Sequence, residues 1–258
     1  MNTIEQKKVA FERLLNIMDE LREKCPWDKV QTFESIRNLT IEEVYELGDA
    51  ILERNYTDVK KELGDIFLHI VFYSKMASEE KLFDVADVLN AICEKLIFRH
   101  PHVFGTEIVA NETEVLRNWE ELKIKEGNKT VLGGVPKSLP ALVKANRIQE
   151  KVRAIGFDWE ERSQVWDKVR EEMEELRVEI ERADQDKIEA EFGDLLFSVV
   201  NAARLHGVDP ETALERTNKK FMKRFNYLEK ETLHKGLKLK EMTLTEMDVI
   251  WKDAKKLD

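Results

Sequence analysis

The chain has 258 residues, 36% of them charged, and a formal net charge of −10. That acidic balance argues against a broad nucleic-acid or anionic-membrane surface, since both need a positive footprint, so neither is expected among its partners. Ten glycines and five prolines are too few for the turn-dense punctuation of an all-β fold; an all-α chain of two helical domains is expected.

The N-terminal "MNTIEQKKVAFERLL" has acids and amphipathic spacing where a signal peptide has a basic start and an unbroken apolar run, and no segment reaches 18 apolar residues. A cytoplasmic location is expected. Cys25 and Cys93 lack C-x-x-C spacing and suggest reduced thiols used for packing.

From Glu42 to Asp65 runs "EEVYELGDAILERNYTDVKKELGD", an E-x-x-E followed after a gap by an E-x-x-D. Alone, such a pattern is most often a solvated helix face. It recurs, however, 129 residues later as "EEMEELRVEIERADQDKIEAEFGD", from Glu171 to Asp194. Glu43, Glu46, Glu62 and Asp65 fall on Glu172, Glu175, Glu191 and Asp194 with the same intervals, and Gly64 falls on Gly193. Solvated faces do not keep such a register, so two homologous units are expected.

After the acids, Leu63, Ile66, Phe67, Ile70 and Val71 recur at helical spacing, as do Phe192, Leu195, Leu196, Val199 and Val200. Each unit therefore reads as a helical hairpin, broken at "RNYT" and "RADQD", with Asp186 and Glu189 fitting a capping pattern. In an antiparallel hairpin, residues lie level when their numbers have a constant total. Glu43 with Asp65 and Glu46 with Glu62 share one total, which centres the turn near Arg54; the second copy centres it near Ala183. Four carboxylates then gather on the facing sides of each hairpin, roughly 12 Å from its turn at 1.5 Å per residue.

Left bare, they would repel. A divalent cation resolves this, and an all-oxygen set favours Mg²⁺, Mn²⁺ or Ca²⁺ over zinc. Di-iron bundles need Glu-x-x-His, whereas the third positions here are Glu46, Asp65, Glu175 and Asp194. Mg²⁺ on a few carboxylates commonly takes its remaining ligands from phosphates, so a phosphate ester or anhydride is the expected substrate class.

An anionic substrate also needs cations. "EKLIFRH" sets Lys95 and Arg99 four apart, and "NKKFMKRF" repeats this with Lys220 and Arg224. Trp119 and Lys123 echo Trp251 and Lys255; a ring that stacks on a base and one that closes a core look alike in sequence. His100 and His102 flank a proline and read as turn residues. Between the copies, "EGNKTVLGGVPKSLPAL" holds three of the ten glycines and two of the five prolines. The domains are accordingly placed at 1–128 and 137–258, with a linker at 129–136. No glycine-rich phosphate loop occurs, so helix-borne side chains must hold the phosphates.

The duplicated E-E-x-x-E and E-x-G-D, with "CPWD" at Cys25 to Asp28 and "GGVPKSLPAL" between the halves, resembles the MazG nucleoside triphosphate pyrophosphohydrolases over nearly the whole chain. The resemblance implies an all-α, tandem-domain, Mg²⁺-dependent enzyme, usually a homodimer, that cleaves nucleoside triphosphates between the α and β phosphates. It implies Glu172, Glu175, Glu191 and Asp194 as metal ligands, Lys168, Lys187, Lys220, Arg224 and Trp251 as nucleotide contacts, and Glu171 or Glu172 as the group orienting water. The first half matches in part: Glu43, Glu46, Glu62 and Asp65 retain the metal set and Lys95, Arg99 and Trp119 the later contacts, but Leu39 and Asp58 stand where Lys168 and Lys187 do. Two other readings remain open: a non-catalytic nucleotide-sensing module, and a narrower pyrophosphatase for deoxyuridine triphosphate or a phosphoribosyl nucleotide.

Overall fold

The computed structural model describes residues 1–111, 114–115, 118–119, 122, 130–159 and 161–257. Among them all regular structure is helical, and the chain divides into two compact units, Met1–Val109 and Ala110–Asp258. The division falls ahead of the domain end expected at 128; residues 128 and 129 lie outside the described residues, and the Gly- and Pro-rich stretch belongs to the second unit.

The first unit contains α1 (Ile4–Lys24), the single turn α2 (Pro26–Lys29), α3 (Phe33–Leu52), α4 (Tyr56–Glu79), α5 (Val85–Arg99) and the single turn α6 (Pro101–Phe104). Hydroxyl caps start two of them. Thr3 and Thr32 each accept from the backbone three residues on, and Gln6 and Ser35 return the bond. Helices α3 and α4 pair as the expected hairpin, and α1 packs on α4. Met18, Ile36, Val71, Phe72 and Met76 form the core between them. Burial of such side chains contributes about 1.5 to 3 kcal/mol each.

A buried-side arginine ties this core to the loop before α3. Arg22 donates to Glu79 at 3.1 and 2.5 Å and to the carbonyl oxygens of Asp28 and Gln31, while its guanidinium lies 5.5 Å from the Phe72 ring centroid. Charge-assisted bonds to carbonyls on both sides of Lys29 hold the "CPWD" turn against α4.

The second unit contains α7 (Ala141–Ala154), α8 (Arg162–Arg182), α9 (Gln185–Leu205), α10 (Pro210–His234), a 3-10 turn at Leu239–Glu241, and α11 (Leu244–Ala254). Helices α8 and α9 form the second hairpin, around Val165, Val169 and Ala202. Asp184 caps α9 by accepting from the Lys187 backbone, in place of the expected Asp186: the left-handed residue at Ala183 ends the turn one position ahead of Asp184.

The apolar stripes read at helical spacing are buried on one flank only. Val71 and Val200 are buried, but Leu63, Phe67, Ile70, Phe192, Leu196 and Val199 are exposed within the chain. Helix α5 buries no residue at all, and Cys93 on it is an exposed free thiol, against the packing role expected; Cys25, also free, is half-buried. No helix among the described residues is long and apolar enough to cross a membrane.

Candidate metal and nucleotide site

Both hairpins turn where the constant-total rule centres them. Arg54 and Ala183 carry φ of 55° and 56°, and the backbone then re-enters a helix capped by Asn55 or Asp184. This shared turn fixes the register of the facing helices, and with it the acids.

In the first unit, Glu43 and Glu46 lie one turn apart on α3 and face Glu62 on α4; one carboxylate oxygen from each lies within 4.8 Å of the others. Glu62 is 4% exposed, and its Oε2 is buried with no hydrogen-bond partner. A buried acceptor left unpaired costs about 1 to 3 kcal/mol, and more when charged. Desolvation, followed by the charges of Asp65, Glu46 and Glu62, pushes the Glu43 carboxyl above its ordinary pKa.

The second unit repeats this. Oxygens of Glu172 and Glu175 on α8 and of Glu191 on α9 lie within 4.8 Å of one another, and Glu172 is 5% exposed. Desolvation, then Glu172 and Glu191, raises the Glu175 pKa, against the opposing charge of Lys168. Three of four acids thus converge in each unit. Asp65 stands outside the close group, though its charge reaches Glu43, and Asp194 is exposed one turn past Glu191.

Carboxylate oxygen is the only donor type in either group, which suits a hard divalent cation, and the orphaned Glu62 oxygen is the acceptor such an ion would satisfy. The residues that could hold it are Glu43, Glu46 and Glu62, and Glu172, Glu175 and Glu191.

The expected cations divide into two sets. Lys168 lies 2.9 Å from Glu171 and 2.7 Å from Glu172, and those bonds raise its pKa. Lys187 lies level with Glu179 across the hairpin, 3.8 Å from its Oε2 and 3.5 Å from Asp184. Lys220 and Arg224 sit one turn apart on α10, and Trp251 on α11 packs 5.0 Å from Phe221, so that ring has a protein partner. In the first unit, Lys95 is exposed and Arg99 half-buried on α5; Trp119 is half-buried in the second unit, and Lys123 lies outside the described residues. His100 Nδ1 lies 2.7 Å from the Leu96 carbonyl oxygen and closes the end of α5, as a turn residue does.

Two residues escaped the sequence argument. Lys61 lies 3.0 Å from Glu62 and 3.9 Å from Glu46, and the Glu62 bond raises its pKa. His69, one turn past Asp65, is buried with an unbonded Nδ1, and burial lowers its pKa against the pull of Asp65. The constant total would have found both: Lys61 is level with Leu47, beside Glu46, and His69 is level with Leu39, where the second unit has Ser198 level with Lys168.

The model of the MazG nucleotide pyrophosphohydrolase domain matches the chain twice, over residues 31–104 and 161–228, so that each match contains one hairpin. A nucleoside triphosphate pyrophosphohydrolase of Escherichia coli (strain K12) is 43% identical over 255 residues, covering 95% of this chain and 97% of that protein. One of Thermotoga maritima is 42% identical over 252 residues, covering 96% of each. The uncharacterized protein YabN of Bacillus subtilis is 43% identical over 254 residues, which are 96% of this chain and 52% of that longer protein.

Proposed function

We propose, from the premise that the chain belongs to the MazG nucleotide pyrophosphohydrolase family, that it is a hydrolase of phosphoric anhydrides that converts nucleoside triphosphates and water to nucleoside monophosphates and pyrophosphate. The reaction depends on Mg²⁺, for which Mn²⁺ can substitute, and extends over ribo- and deoxynucleotides. The observation that carries this reading is the pair of equivalent three-carboxylate groups, one oxygen of each acid within 4.8 Å of the others, on hairpins in register.

Bound there, the ion would screen the triphosphate and polarise a phosphoryl oxygen. The chain's own residues do the rest. Lys168 holds Glu171 and Glu172 side by side on α8, one exposed and one buried. Glu171 or Glu172 accepts the proton of the attacking water; the water oxygen bonds to the α phosphorus, and the bridging oxygen leaves with pyrophosphate. Lys187, Lys220 and Arg224 supply helix-borne cations for the phosphates, and Trp251 an apolar ring for the base.

The exposed flanks Leu63–Phe67–Ile70 and Phe192–Leu196–Val199 supply apolar surface that a second copy of the chain would cover. Sedimentation of the purified chain tests this homodimer: a monomer at micromolar concentration removes it. The reaction is tested with a panel of all ribo- and deoxynucleoside triphosphates and Mg²⁺, scored for monophosphate, diphosphate, pyrophosphate and phosphate. Monophosphate with pyrophosphate is the expected pair; nucleoside diphosphate as main product overturns the assignment.

A further inference from the structure

The geometry points to Lys61 as a tethered counter-cation of the first acid group, competing with a divalent ion for the same carboxylates and making this group a weaker cation site than the second. The inference rests on reading both acid groups as metal sites. Lys61 is on α4, immediately before Glu62, and its ammonium reaches acids on both helices: Glu62 Oε1 at 3.0 Å on its own and Glu46 Oε2 at 3.9 Å on α3. It therefore bridges the two helices of the hairpin. It also meets only one side of Glu62, whose buried Oε2 keeps no partner. The group is partly neutralised and still short of positive charge.

The second unit is built differently. Ala190 stands where Lys61 does, and Lys168 pairs with one member of the second group, Glu172, and with Glu171 outside it, both on α8, whereas Lys61 reaches two of the three acids of its group, on both helices. Glu175 and Glu191 thus face each other across the hairpin with no lysine at the position of Lys61. A divalent ion entering the first group must displace the ammonium or share carboxylates with it, and two cations a few ångströms apart repel with an energy that falls only as the inverse distance. The Lys61 side chain is 62% exposed, so it can swing into water. The consequence is weaker binding rather than exclusion.

The experiment uses the full-length chain and Mn²⁺ alone, with free ion followed by electron paramagnetic resonance. Two classes of site are expected, with Glu175→Gln removing the tighter and Glu46→Gln the weaker. Lys61→Met is expected to tighten the weaker class at least about fivefold and leave the tighter one in place, while Lys61→Arg, which keeps the charge, does not tighten it. One class in the wild type that becomes two in Lys61→Met supports the inference equally. A weaker class unchanged within twofold in Lys61→Met overturns it while leaving both acid groups as metal sites. Manganese binding untouched by either Glu175→Gln or Glu46→Gln overturns the metal reading itself, and the inference with it.

Discussion

Arg54 and Ala183 occupy the same place in the two hairpins, 129 residues apart, and both are held in the left-handed backbone region, at φ 55° and 56°. An L side chain there costs roughly 1 to 2 kcal/mol, offset in part by what a glycine loses in chain entropy. Ala183→Gly is therefore expected to stabilise the second unit by about 0.5 to 1 kcal/mol, read as a higher urea midpoint with an unchanged slope. A lower midpoint would mean that the Ala183 methyl contributes packing that outweighs its backbone strain.

Glu79 gives the first unit a pH-dependent term. The hydrogen bonds from Arg22 hold its carboxyl below the ordinary carboxylate pKa, with burial opposing. A depressed folded pKa contributes stability that is present above the unfolded value and lost as pH falls through the folded one. The carboxylate is 37% exposed, so the contribution is discounted to about 1 kcal/mol. Stability curves of wild type and Glu79→Gln should differ at neutral pH and converge as both are taken below the folded pKa. Parallel curves down to acid unfolding would show that the pair adds nothing.

Glu175 and Asp194 are both exposed, so neither holds the core. Glu175→Gln and Asp194→Asn should keep the helical circular dichroism of the wild type while lowering turnover at least about a hundredfold, as loss of a metal ligand does. Asp194 is the sharper test, because it stands outside the close acid group. Wild-type turnover in Asp194→Asn would confine the working set to Glu172, Glu175 and Glu191.

The hairpins were legible because two constraints met in the residue numbers: three-residue spacing puts acids on one helix face, and antiparallel pairing makes level residues share a total. Arg54 and Ala183 then fall at the turns, where the structure has them. Side-chain reach was not legible. The repeat does not point to Lys61, because the first unit takes its cation from α4 where the second takes Lys168 from α8. The exposure of the stripe through Phe67 and Phe192 was not legible either: helical spacing marks an apolar face and does not say whether the chain's own helices bury it.

The two halves are expected to be unequal, with the second carrying most of the turnover. At the level of Lys168 the first unit has Leu39, and at that of Lys187 it has Asp58, whose carboxylate accepts from Asn55 at the start of α4. Relative to the second site, a triphosphate approaching the first loses two cations and meets one more anion, and Lys61, paired with Glu62 and Glu46 as Lys168 is with Glu171 and Glu172, restores a single charge. Attraction falls off slowly with distance and scales with the substrate's several negative charges, so binding suffers first. The comparison is Glu46→Gln against Glu175→Gln, each in the full-length chain so that assembly is preserved. Glu175→Gln should abolish turnover, and Glu46→Gln should leave at least about half of it, with the loss appearing in KM before kcat. The reverse pattern, turnover lost with Glu46→Gln and kept with Glu175→Gln, would move the working site to the first hairpin.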